Sequence, residues 1–159
     1  MDIALQQLVN GLTVGAFYAL VALGYTMVYG IIRLINFAQG DLYSVGAFLG
    51  LSLLGLLGGL TTRSAALATL LGLLGAMALT AVLGVVIYRV AYRPLLGSRL
   101  SILISAIGAS LTLEYSLYLI YSPSYVVYPS PFGTGGPPLG DIVVSWIQMV
   151  IFVVSLLLM

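Results

Sequence analysis

A chain of 159 residues that is 62% hydrophobic and 6% charged, with a formal net charge of +1, lies outside the range of soluble domains. Its mean hydropathy of +1.20 exceeds what a soluble fold of this length can bury, whereas a bilayer covers such surface directly. With no Cys and no His, disulfides, thiol chemistry and the usual transition-metal sites are excluded, and no basic run points to nucleic acid.

The composition predicts an all-α, polytopic helical integral membrane protein, a single transmembrane domain over residues 1–159 with about five transmembrane helices. The first apolar segment runs from about Gln7 to Ile32, long enough to span with some tilt. The residues before it lack a basic region and a cleavage site, so the first helix itself is expected to be the insertion signal. Gly11, Gly15 and Ala19 recur every four residues and form a ridge that a second helix can approach closely. Tyr29 suits interfacial anchoring. Tyr18 is too deep for that, and is expected to pack against a neighbouring helix or face a cavity.

Between Gly30 and Tyr43 the chain places Arg33, Asn36, Gln39 and Asp41 within nine positions. Polar groups beside hydrocarbon are costly and persist where they meet a partner, water or a substrate. Asn36, Gln39 and Asp41 are therefore candidates for lining a pathway or capping a broken helix. The alternative is an ordinary turn, with Asp41 as the N-cap of the next helix and Arg33 reaching headgroups.

A second apolar segment, about Leu42 to Leu60, contains Gly55-x-x-x-Gly59, and Thr61-Thr-Arg-Ser64 comes next as a short link. The third segment, about Ala65 to Tyr88, carries Gly72, Ala76, Thr80 and Gly84 on one face, predicting a close helix–helix contact. Residues Tyr88 to Leu100 hold Arg89, Arg93 and Arg99, three of the five cationic residues. Pro94 and Gly97 end the helix there.

The fourth segment, about Leu100 to Tyr121, contains Glu114 about two turns from one end. Burying a carboxylate at mid-bilayer costs on the order of 3 kcal/mol, so Glu114 is expected to be protonated, paired or facing water. It either lines the pathway or a companion subunit, or reaches water at the outer mouth. Ser101, Ser105 and Ala109 on the same helix read as packing residues. Ser122 to Gly140 is a Pro-, Gly- and Tyr-rich loop, and from Asp141 the chain turns apolar again to Met159.

The arginines set the orientation. Arg89, Arg93 and Arg99 place their loop on the cytoplasmic face. Alternation then puts the 33–41 stretch inside, with the N-terminus and the 122–140 loop outside. Arg33 agrees and Arg63 does not. The apolar run at the end has no cationic flank, and the chain is expected to be truncated in or at the end of its fifth span.

Several stretches resemble the permease subunits of branched-chain amino acid ABC importers. They are Gln6-Gln-Leu-Val-Asn-Gly-Leu-Thr-Val-Gly-Ala-Phe-Tyr-Ala-Leu20, Ala22-Leu-Gly-Tyr-Thr-Met-Val-Tyr-Gly-Ile-Ile32 and Ile35-Asn-Phe-Ala-Gln-Gly-Asp-Leu-Tyr43. Arg89-Val-Ala-Tyr-Arg-Pro-Leu95 and Leu103-Ile-Ser-Ala-Ile-Gly-Ala-Ser-Leu111 continue the likeness, in order and at the right spacing, over most of residues 6–121. Gln39 stands where the family often has His, and Gln cannot carry a proton.

The resemblance implies the N-terminal half of a permease of the bacterial inner (plasma) membrane. Its implied partners are a second permease subunit, cytoplasmic ATP-binding subunits, a periplasmic substrate-binding protein and membrane lipid. Arg89, Arg93 and Arg99 are candidates for contacting the ATP-binding subunits, and the Pro123–Pro138 loop for receiving the binding protein. No Walker A motif, nucleophile–base pair or metal cluster is present in the sequence. The chain is accordingly expected not to be an enzyme and to need no cofactor, ATP being used by the partners. Urea, amide and sugar permeases of the same superfamily remain alternatives, as does a non-transporting membrane scaffold.

Overall fold

A computed structural model describes residues 2–33, 35–57, 65–122, 126–128, 135–136, 138–139 and 142–158. The link at 61–64, Gly59, Asp141 and most of the 122–140 loop lie outside the described residues, so the expectations placed on them are left there. Five α-helices are described: α1 Asp2–Ile32, α2 Gln39–Leu56, α3 Ala65–Ile87, α4 Arg99–Tyr121 and α5 Trp146–Leu158. A two-residue antiparallel pair, β1 Pro138–Leu139 and β2 Ile142–Val143, precedes α5.

All five helices fall where apolar runs predict them. Three stretches are long and apolar enough to cross a membrane, Ile3–Ile31, Leu67–Leu95 and Arg99–Tyr121. α2, at 18 residues, and α5, at 13, are shorter. The expected fifth segment begins later than Asp141 because Ile142 and Val143 pair with Leu139 and Pro138. The helix starts at a capping box, in which the Ser145 amide donates to Gln148 Oε1 at 2.9 Å.

The chain divides into two compact units, one of residues 1–27 with 132–159 and one of residues 28–131. In the first, α5 meets α1 through polar contacts. Gln148 Nε2 donates to Asn10 Oδ1 at 3.2 Å, and Ser155 Oγ donates to the Ala16 carbonyl at 3.2 Å. Gly11, Gly15 and Ala19 do not form the expected tight seam. A Cβ at Gly11 or Gly15 would meet nothing within 4 Å, and the ridge lines an open groove of about 540 Å³ beside Phe152, Ser155 and Leu156. Tyr18 is 72% exposed, so the packing expected of it is not found within the described residues.

In the second unit α2 and α3 pack antiparallel through small residues. A Cβ at Gly46 would lie 3.1 Å from Thr80 Oγ1, one at Gly50 would lie 3.7 Å from Ala76 Cβ, and one at Gly72 would lie 3.2 Å from Leu54 Cδ2. The descending order of partners shows the antiparallel register. Gly72 and Ala76 thus act as expected. Gly84 does not, because nothing lies within 4 Å of its Cβ position, so the two surfaces no longer touch at that end. The partner face on α2 is Gly46 and Gly50 rather than Gly55, whose Cβ position is also empty.

Large apolar side chains point outward, Ile31 at 83% and Leu119 at 80% exposure, while the buried set is mostly small or medium: Ala16, Ala38, Val45, Ala68, Ala76, Ala106. That is the reverse of a soluble core and matches a bilayer as solvent, where close approach of backbones drives association. Hydroxyls within the helices bond the carbonyl one turn back: Thr13 to Val9, Ser44 to Gly40, Ser52 to Phe48, Thr112 to Gly108 and Ser116 to Thr112. This removes the cost of carrying them in hydrocarbon.

α1 ends at Arg33, which has φ 55 and donates its amide to the Tyr29 carbonyl at 2.8 Å. A left-handed residue with a Cβ is strained by about 1 kcal/mol. Arg33→Gly should therefore raise stability by about 0.5–1 kcal/mol in thermal unfolding in detergent. A loss instead would mean that the guanidinium anchors the helix end by more than the strain it carries.

Candidate functional site

The polar stretch after α1 folds into a turn held by Asn36. Its carbonyl accepts from the Gln39 amide at 3.2 Å, and its Oδ1 accepts from the Ala38 amide at 3.1 Å. Ala38 is the residue at the N-cap, and its own side chain cannot cap. Asn36 supplies the missing acceptor from two residues upstream, as an Asx-turn. Asp41 is therefore not the N-cap of α2. It sits in the first turn, where a carboxylate is favoured by the helix dipole, and its Oδ2 accepts a hydrogen bond from Ser110 Oγ.

The Ser110–Asp41 bond fixes α4 beside α2, and a second bond joins Ser52 and Tyr121 further along. Both pairs are 69 residues apart in sequence, so α2 and α4 run parallel. This is the geometry that alternation across a bilayer demands of helices separated by one antiparallel neighbour. Phe48 and Tyr121 close that end, with ring centroids 4.4 Å apart.

Between these two anchors lies a cleft of about 350 Å³ lined by Asp41, Ser44, Phe48, Glu114, Leu117, Tyr118 and Ser122. Glu114 stands one turn beyond Ser110 on α4, and is exposed. The two acids thus border one cleft whose remaining lining is aromatic, aliphatic and hydroxyl. Such a surface suits a small solute with a cationic group and an apolar body. Among the described residues no group of His, Cys, Asp and Glu is placed to hold a metal ion.

Of the residues singled out by sequence, Asp41 and Glu114 come together in the cleft, and Asn36 organises the turn that starts α2. Gln39 opens that helix but does not line the cleft. Tyr18 lies in the other unit and is not among the lining residues. Arg89, Arg93 and Arg99 are exposed, on the segment that leads from α3 into α4.

Sequence reading missed Tyr92 and Ser110. Tyr92 is 6% exposed and its hydroxyl donates to Asn36 Oδ1 at 2.6 Å. It occurs between Arg89 and Arg93, where a tyrosine reads as interfacial. Ser110 looks like the other small residues of α4, and only the parallel placement of α2 shows its role.

Residues 7–159 match the family described as the branched-chain amino acid transport system, permease component. The chain is 44% identical over 160 residues to the high-affinity branched-chain amino acid transport system permease protein BraD of Pseudomonas aeruginosa. It is 39% identical over 160 residues to LivH, a permease protein of the same description, from Salmonella typhimurium and from Escherichia coli. Each alignment covers 98% of this chain and 52% of the relative, so the chain spans about half the length of the curated relatives it matches. No solved structure matches. A match over nearly the whole chain, on a helical multi-pass membrane scaffold, makes this protein a member of the branched-chain amino acid transport permease family, a family of transport components and not of enzymes.

Proposed function

We propose that the chain forms part of the translocation path of an ATP-driven importer for branched-chain amino acids. It is a multi-pass protein of a bacterial inner membrane. What carries the reading is the match of residues 7–159 to the permease family. The cleft between α2 and α4 adds chemistry that fits. Asp41 and Glu114 offer negative charge to an ammonium group, and Phe48, Leu117 and Tyr118 offer an apolar wall to an aliphatic side chain. An otherwise apolar path suits a substrate whose charges cancel.

In this reading the N-terminus is outside and Arg89, Arg93 and Arg99 lie at the cytoplasmic face, the more basic side. A second permease subunit completes the pathway, cytoplasmic ATP-binding subunits supply the energy, and a periplasmic binding protein delivers the substrate. The chain carries no cofactor of its own. ATP binding by the partners switches the helices between inward- and outward-open states, which is alternating access by rigid-body movement.

The test is uptake by the complete permease assembled with its partners in liposomes. Labelled leucine should be taken up and ATP hydrolysis should rise on adding binding protein. Competition by urea or ribose in place of leucine would move the substrate to the amide or sugar permeases. Absence of any binding-protein-stimulated hydrolysis would leave a membrane scaffold.

A further inference from the structure

We propose that Tyr92 is a positioning residue that ties the Asn36 turn to the arginine-bearing segment. Movement of Arg89–Arg99 would thereby pass to the end of α2 that carries Asp41. The inference rests on the transport reading above in placing that segment toward the ATP-binding partners.

Tyr88–Tyr92 is one turn of π-helix, and Arg93–Leu95 a 3₁₀ turn containing Pro94. A π turn is rare, since its i→i+5 bonds interrupt the α-helical ladder, and it occurs mostly where function requires it. Here it is pinned from two sides. Ser105 Oγ of α4 donates to the Ala91 carbonyl at 2.8 Å, and the Tyr92 ring packs with Ile102 and Ala106 of α4. The Tyr92 hydroxyl crosses to Asn36 Oδ1 at 2.6 Å, the same oxygen that accepts from the Ala38 amide at 3.1 Å. One oxygen therefore serves both the turn that starts α2 and the π turn that ends α3.

That arrangement has two discrete states. Closing the π turn into regular α-helix removes one residue from the turn and rotates the chain beyond it by about 100°. The Tyr92 hydroxyl then leaves Asn36, and the Ala38 amide loses the partner that fixes its acceptor. Arg89 and Arg93 flank Tyr92 and are exposed, so a partner that grips them acts directly on this turn. Tyr92→Phe removes only the hydroxyl and keeps the ring in its apolar site.

The experiment compares wild type, Tyr92→Phe, Asn36→Ala and the double variant in the complete permease with its partners, measuring uptake per ATP hydrolysed. Each single variant should lower that ratio about five- to tenfold, the weight of one hydrogen bond, with hydrolysis retained. The double variant should be no worse than the worse single. An unchanged ratio in Tyr92→Phe, or losses that multiply, overturns the proposal. A purely structural role lowers the amount of complex, so uptake and hydrolysis fall together, the ratio holds, and the proposal fails. A second readout needs no substrate: amide exchange over residues 38–42 should change on ATP addition in wild type and not in Tyr92→Phe. No nucleotide response in wild type overturns the coupling. A response without leucine uptake keeps the coupling and removes the substrate assignment instead.

Discussion

Asp41→Leu is expected to abolish uptake and to lower stability, whereas Asp41→Asn should keep the fold and still lose most uptake. The Asp41 carboxylate receives the Ser110 hydroxyl, a bond that holds α2 parallel to α4. Leucine leaves that hydroxyl without a partner in an apolar setting, at a cost of about 1–3 kcal/mol. Asparagine still presents an amide oxygen, so the helix pair should survive with a near-normal unfolding midpoint. The charge is gone, however, and with it half of the negative border of the cleft. Uptake by the Asn variant should fall at least about tenfold, the effect of losing one charge-assisted contact to substrate. Wild-type uptake by Asp41→Asn would reduce Asp41 to a strut between helices.

Gly72→Leu should lower the thermal midpoint in detergent, and Leu54→Ala should partly restore it. Leu54 Cδ2 would lie 3.2 Å from a Cβ at Gly72, so a larger side chain meets it head on. Overpacking of this kind costs about 1–3 kcal/mol, and truncating a buried Leu costs about 2–5 kcal/mol. Because one change fills the space the other empties, the double variant should be less destabilised than the two singles added together. Gly84→Leu is the control, and should be near neutral because its Cβ position is open. Strict additivity at positions 54 and 72 would mean that the two residues do not share a contact.

The helices were legible because apolar runs long enough for a bilayer are a strong signal, and each run overlaps its helix. The small-residue face of α3 was legible at Gly72 and Ala76 for the same reason. Its partner was not. Gly46-x-x-x-Gly50 carries the same spacing as Gly55-x-x-x-Gly59, and which pair meets α3 depends on the register, which the sequence does not state. The cap of α2 was misassigned to Asp41 because a side chain two residues outside the cap, Asn36, does the work that a capping residue usually does itself. The capping box at Ser145 and Gln148 was readable from its Ser-x-x-Gln spacing, and an apolar run starting at Asp141 hid it. At the site, the acids stood out by their rarity. Ser110 and Tyr92 did not, since their roles exist only once α2 lies between α3 and α4.

The hydroxyls that bond within their own helices have a consequence for how the protein is made. Thr13, Ser44, Thr112 and Ser116 each have an acceptor one turn away on the same helix. Each such segment can leave the insertion machinery with these groups already satisfied, before any neighbour has been synthesised. Asp41 and Asn36 differ, because their donors Ser110 and Tyr92 are translated 69 and 56 residues later. The pathway end of α2 must therefore wait at the membrane surface or in water until α4 arrives. Biogenesis of this protein is a sequence of independent insertions followed by one late docking step, and variants at Ser110 or Tyr92 should stall at that step with every helix already in the bilayer.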